Sequence, residues 1–197
     1  MLASIARQGT LAASPATKPE KPSSDETLIA RIAQRDQLAM RALVLRHQTA
    51  LYRWLKRIVL DEALAEDLVS EVFLDVWRQA SSFEGRSSVS TWLFAMGRYK
   101  ALSARRRRTD AELDDDLALR IPDPADDPET SLLKKDRSAR IGQLITNLSR
   151  KHREVLDLVY YHGKSVREVA EITGTAEATV KTRMFHARRR LAALMAA

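Results

Sequence analysis

The sequence predicts an all-helical protein made of two small helical domains joined by a flexible acidic linker, and three observations lead there. Ala, Leu, Arg and Val dominate while glycine and proline number six each and aromatics make up 6%, a balance that favours helices over strands. Apolar residues recur at spacings of three and four through most of the chain, the period of a helix with one buried face. The net charge of +7 is unevenly spread: residues 1–24 carry +2, 25–109 carry +5, 110–139 carry −6 and 140–197 carry +6. An acidic stretch that also holds three of the six prolines keeps a chain extended, because like charges repel and proline resists packing. The expected organisation is a disordered tail over 1–24, a first domain over 25–108, a linker over 109–137 and a second domain over 138–192.

Composition excludes several classes of function. A length of 197 residues and an apolar content of 45% suit a globular protein with room for two small cores. Cysteine is absent, which removes disulfides and thiolate metal sites and agrees with a reducing cytoplasm. No run of about 18 apolar residues is present, so no membrane insertion is expected. The first residues lack the sustained apolar block of a secretory signal. His47, His152, His162 and His186 are scattered, and none sits in a nucleophile, metal or phosphate-loop spacing. Neither a catalytic residue, a metal nor a cofactor is expected.

In the first domain, Leu28, Ile32, Met40, Leu43, Val44, Leu51, Leu55 and Ile58 recur at helical spacing, and two helices joined near Asp36 are predicted. Residues 61–80, DEALAEDLVSEVFLDVWRQA, form a two-faced helix. Leu68, Val69, Val72, Phe73, Val76 and Trp77 share one broad side, and Asp67, Glu71 and Asp75 line the other at four-residue steps. Like charges at that spacing cost a few tenths of a kcal/mol per pair, roughly. A basic protein partner would offset that cost; a solvated acidic face is the simpler reading on spacing alone.

Gly85 and the serines of SSFEGRSSVS imply a loop, with Ser88 or Ser90 capping a helix through Trp92 to about Arg106. Arg98, Lys100 and the run Arg105–Arg108 are free of acids and lie near Phe83, Trp92, Phe94 and Tyr99. Cations interleaved with aromatics suit a nucleic-acid strand whose bases have left the stack; core packing is the alternative for Trp92 and Phe94.

The second domain carries SVREVAEITGTAEATVKTRMFHARRRL, residues 165–191. Ser165 and Glu168 form a capping box that opens a helix at Val166. Val166, Val169, Ala170 and Ile172 make its apolar stripe, and Gly174 supplies the turn. Thr175 is expected to cap the next helix. There Val180, Met184, Ala187, Leu191 and Leu194 share one face, and Ala178, Lys181, Thr182, Phe185 and Arg189 the other. Thr179–Arg190 holds five basic residues and no acid, as suits a helix laid in the major groove of DNA. A solvated basic helix closing a bundle is the alternative on this segment alone.

Taken together, residues 61–108 resemble the second region, and residues 165–191 the fourth region, of bacterial RNA polymerase sigma factors of the extracytoplasmic-function group, with order, spacing and length agreeing over about residues 25–192. The resemblance implies a monomeric, non-enzymatic cytoplasmic protein, nucleoid-associated in the holoenzyme, that binds core RNA polymerase through its beta and beta-prime subunits and promoter DNA. It further implies an anti-sigma factor as inhibitor and a stress-response role. Carried over by position, Asp67, Glu71, Asp75 and Arg78 contact core polymerase. Phe83, Arg86, Ser87, Ser88, Trp92, Arg98, Tyr99, Lys100, Arg105 and Arg106 serve the melted minus-ten element. Ala178, Thr179, Lys181, Thr182, Arg183, His186 and Arg189 read the minus-thirty-five duplex. Tyr99, Ser103 and His186 depart from the residues usual in the family, so promoter sequence is not carried over. Two rivals make different demands: a helix-turn-helix regulator would act without polymerase, and a sigma mimic would bind a regulator without reading DNA.

Overall fold

The computed structural model describes residues 23–111 and 148–196. The expected tail and acidic linker therefore lie outside the described residues, apart from Ser23, Ser24 and residues 109–111. All regular structure in the described residues is helical: α1 (Asp25–Ala33), α2 (Gln37–Val59), α3 (Glu62–Gln79), a 3-10 turn (Ala80–Ser82), α4 (Val89–Ala111), α5 (Arg150–Tyr160), α6 (Val166–Thr173) and α7 (Glu177–Ala196).

Each early helix starts where a short polar side chain takes up backbone N–H groups that have no partner inside the helix. Ser24 Oγ accepts from the Thr27 N–H, Asp36 Oδ1 from those of Leu38 and Ala39, and Asp61 Oδ1 from that of Leu64. Asp36 also receives the Arg31 guanidinium at 2.9 Å, which fixes the corner between α1 and α2 at the predicted position. Leu60, at φ +59°, ends α2 in the left-handed conformation, so the chain reverses at once into α3.

The apolar stripes converge as their spacing requires. Leu28, Ile32, Leu43, Leu51 and Leu55 are buried with Leu68, Val72 and Val76, while Met40, Val44, Ile58, Val69 and Trp77 are half-buried at the margin. Phe94 stacks on Trp54 at 4.8 Å between centroids and is core. Gly97 lets α4 lie close on α2: a Cβ there would come within 3.0 Å of Leu51 Cδ1 and 3.3 Å of Leu55 Cδ2.

Two local expectations change, and one alternative is decided. Of Ser88 and Ser90 it is Ser88 that caps α4, its Oγ accepting from the Thr91 N–H. Helix α4 runs through the arginine run to Ala111 rather than ending near Arg106, so it crosses the boundary expected at Arg108. Thr175 does not cap α7, which begins at Glu177; its N–H bonds back to the Ala170 carbonyl and its hydroxyl contacts that of Thr173. Gly174 at φ +62° turns the chain so that the following N–H closes α6, and the Thr175 hydroxyl, held by Thr173, is not turned to the start of α7.

Helices α5–α7 do not form a separate globule. Leu148, Leu156, Ala187 and Leu191 make a small cluster of their own. Val155, Leu158, Val169, Ile172, Val180 and Met184 instead join the core of α1–α4, with α6 seated on α4. Replacing fully buried Leu43 by Ala should cost about 2–5 kcal/mol, cavity included. The same change at Leu38, 74% exposed on the same helix, should stay within about 0.5 kcal/mol; urea unfolding midpoints measure both.

Candidate nucleic-acid interface

The turn Thr173–Ala176 sets α7 across α6, and burial of Val180, Met184 and Ala187 fixes which face points out. Ala178, Thr179, Lys181, Thr182, His186 and Arg189 are exposed, and Arg183 is half-buried. Thr182 Oγ1 donates to the Ala178 carbonyl at 2.9 Å. The exposed side thus combines guanidinium and ammonium groups, which suit phosphates and base edges, with short side chains that admit a close approach. Phe185 is 60% exposed between these polar groups, with His186 packed on its ring at 5.5 Å and His152 stacked on His186 at 6.4 Å. Sequence reasoning placed Phe185 on this face without giving it a task; an aromatic ring left in water on a basic helix is the signal.

On the first domain, the loop before α4 and the basic side of α4 carry the second set. Phe83 packs against Trp92 at 5.0 Å, both half-buried, so the pair is a margin of the core with one side open. Arg86 is exposed and pairs with Glu84 at 2.5 Å. Ser87 and Ser88 flank it, Tyr99 is 75% exposed, and Arg106 faces solvent. Other members of the set already have internal partners. Lys100 Nζ lies 2.7 Å from Asp75 and 3.1 Å from Glu71, and Arg105 donates to the Ile58 carbonyl at 3.2 Å. Of the acidic face, Asp67 is exposed and has no such cation among the described residues, and Arg78 approaches Asp75 at 3.9 Å.

The second domain reaches into this same surface. Arg98 donates through Nε to Glu154 at 2.5 Å. The Glu168 carboxylate accepts from Thr91 Oγ1 at 2.7 Å and Ser88 Oγ at 3.2 Å, and Lys164 Nζ, buried beneath, meets Ser90 Oγ at 2.8 Å and Glu168 at 3.3 Å. Nearby, Arg57 pairs with Asp157 and lies over the Tyr161 ring, while His162 packs edgewise on Phe94 at 4.8 Å. Thr91, Glu154 and Lys164 did not stand out in sequence, and Glu168 did so only as a capping residue, because the further role of each is acquired across the domain contact.

Electrostatics at this contact divide. Burial would raise the Glu168 carboxyl, but the Ser165 backbone N–H, the Thr91 and Ser165 hydroxyls and the Lys164 charge together hold it at about 2. Burial prevails at Asp157, lifting it to about 6 despite Arg57. It also prevails at His162, which falls to about 4 with Arg57, Lys164 and Arg53 adding to the effect, and whose Nε2 has no hydrogen-bond partner among the described residues. Because Glu168 binds its proton more weakly folded than unfolded, its contribution to stability is complete above about pH 5 and is lost as pH falls towards 2. A carbon-detected NMR titration of its carboxyl should show a midpoint near 2; an ordinary glutamate midpoint would remove these donors from the account.

Comparison with known proteins matches two family descriptions, Sigma-70 region 2 over residues 43–110 and Sigma-70, region 4 over residues 138–191. The RNA polymerase sigma factor NccH of Alcaligenes xylosoxydans xylosoxydans is 31% identical over 88% of this chain and 96% of its own. RNA polymerase sigma-H factor of Pseudomonas aeruginosa is 31% identical over 83% of this chain and 90% of its own. Among solved structures, CnrH in complex with the cytosolic domain of CnrY superposes with a TM-score of 0.64 at 26% identity, covering 88% of this chain and 97% of CnrH. Sigma factor RpoE of Bartonella quintana, in complex with the anti-sigma factor NepR, gives a TM-score of 0.63 at 29% identity over 77% and 93% of the two chains. With both regions in order, an outward basic helix and relatives matched over nearly their full length, the chain belongs to the extracytoplasmic-function group of RNA polymerase sigma factors.

Proposed function

We propose that α7 reads the minus-thirty-five element as intact duplex, that the Phe83–Ser88 loop with the basic side of α4 holds the melted minus-ten strand, and that the acidic side of α3 docks on core polymerase. The observation that carries this reading is the outward face of α7, where Lys181, Arg183 and Arg189 alternate with Ala178, Thr179 and Thr182 and no acid lies between Thr179 and Arg190. Within that face Phe185 is assigned an apolar base contact, of the kind an aromatic ring makes with a thymine methyl. Trp92 and Phe83 offer one open side to an unstacked base, whose capture must offset about a few kcal/mol of unpairing.

The family's members are transcription initiation factors without catalysis of their own, and the chain's work is one of positioning. The division of tasks assigns a first domain from residue 25 through α4 and a second over 138–192, with the acidic segment between them as tether. A stress-responsive role, restraint by an anti-sigma factor and action in the cytoplasm complete the reading; the complex of RpoE with the anti-sigma factor NepR among its structural relatives supports the second of these. No helix among the described residues is long and apolar enough to cross a membrane.

Purified chain added to core polymerase should start transcription from a host promoter in a run-off assay. A regulator acting alone cannot start it, and a sigma mimic leaves the promoter silent. Replacing Lys181, Arg183 and Arg189 together by Ala should abolish promoter use. Duplex affinity should fall with salt at a log–log slope of roughly −4 if four or five phosphates are neutralised, and a flat response removes the assignment. Phe185→Ala should lower promoter affinity by about 1–3 kcal/mol at one base pair and leave the salt slope unchanged; a series of single base-pair changes locates that position.

A further inference from the structure

Two carboxylates of the second domain occupy donors that face the single strand in the reading above. Arg98 gives Glu154 both Nε, at 2.5 Å, and Nη2, at 3.4 Å, and the two side chains are only 22% and 11% exposed. Ser88 and Thr91 turn their hydroxyls to Glu168, and Lys164 closes the cluster from below. A carboxylate receiving a guanidinium fork or paired hydroxyls presents the charge and acceptor oxygens that a phosphate would present there. This arrangement cannot persist on a promoter. Elements centred near minus ten and minus thirty-five are about 25 base pairs apart, roughly 85 Å at 3.4 Å per base pair, whereas here the two domains share hydrogen bonds and one core.

We propose that Glu154 and Glu168 are built-in phosphate surrogates: the closed chain blocks its own single-strand surface and must part its two domains before it can hold a promoter. The proposal rests on the assignment of Ser88 and Arg98 to the minus-ten strand. Its consequence is that free chain binds DNA weakly because only the open fraction is competent, apparent affinity being scaled by that fraction. Polymerase and promoter then act by selecting the open form. The screening comes from the second domain itself and requires nothing of the acidic linker.

The test uses the full chain, which has no cysteine and so accepts a fluorophore pair at S70C and A193C, both exposed positions on α3 and α7. Two variants loosen the contact from opposite sides. E154Q removes one surrogate charge, and T91V removes a donor to Glu168 without altering any charge or the capping box of α6. In each, energy transfer should fall, and affinity for a 20-residue oligothymidylate at low salt should rise about tenfold, as when one charge-assisted contact is taken from the competing closed state. The same oligonucleotide should lower transfer in the parent chain. Unchanged transfer in both variants overturns the self-block, far-UV circular dichroism having shown the helices intact. Transfer that falls in both while oligonucleotide affinity stays flat overturns the surrogate role through its premise, since parting the domains would then uncover no strand site at Ser88 and Arg98.

Discussion

Helix α4 is enclosed on three sides, and what it can present to DNA is what those contacts leave over. Its close crossing with α2 depends on Gly97 lying against Leu51 and Leu55. Towards α3 it is held by Lys100 against Glu71 and Asp75 and by Arg108 against Asp61. Towards the second domain it offers Ser88, Thr91 and Arg98. A basic helix with that many fixed cations is less a free polycation than its sequence suggests. Tyr99, Arg106 and Arg107 remain exposed to water.

The link through Lys100 joins the acidic side of α3 to the basic side of α4. Glu71 and Asp75 belong to the acidic side of α3, and Lys100 to the basic side of α4, yet they satisfy one another. Lys100 is raised above its ordinary value, burial opposing and Asp75 and Glu71 outweighing it. The like-charge cost of Glu71 and Asp75 at helical spacing is thereby met inside the molecule. A partner approaching either surface must contend with the pair, so the acidic and basic faces are electrostatically one unit.

The contact between the domains shows how much local donors decide. Glu168 and Asp157 are both carboxylates of the second domain at the same contact, but they move in opposite directions. Glu168 sits at a helix start among a backbone N–H, the hydroxyls of Ser88, Thr91 and Ser165 and an ammonium group, so its charge is well solvated by protein. Asp157 has Arg57 but is deeply buried, and desolvation prevails. His162, also buried at that contact, stays neutral for the same reason. A contact of this kind mixes strong polar ties with strained ones, which suits a join that holds without being permanent.

Much of this was legible in sequence where the determinant is local. The capping box of Ser165 and Glu168, the corner at Asp36 and the faces of α3 and α7 all arise from interactions within four residues. Thr175 does not cap because its hydroxyl turns back to that of Thr173 and the next helix starts at Glu177, a choice that propensity does not rank. Phe94 and Trp92, alike in the sequence, were separated only by packing: one stacks on Trp54, the other keeps an open side beside Phe83. Thus the sequence by itself determined the helices other than α5, their buried faces and the two basic surfaces, because period, caps and charge are near-neighbour properties. Tertiary structure alone decided that α6 lies on α4, that Glu154 and Glu168 meet Arg98, Ser88 and Thr91, and that Lys100 is held by α3. Those pairings join residues 25 to 80 positions apart, and no periodicity within a helix encodes which distant face it will meet.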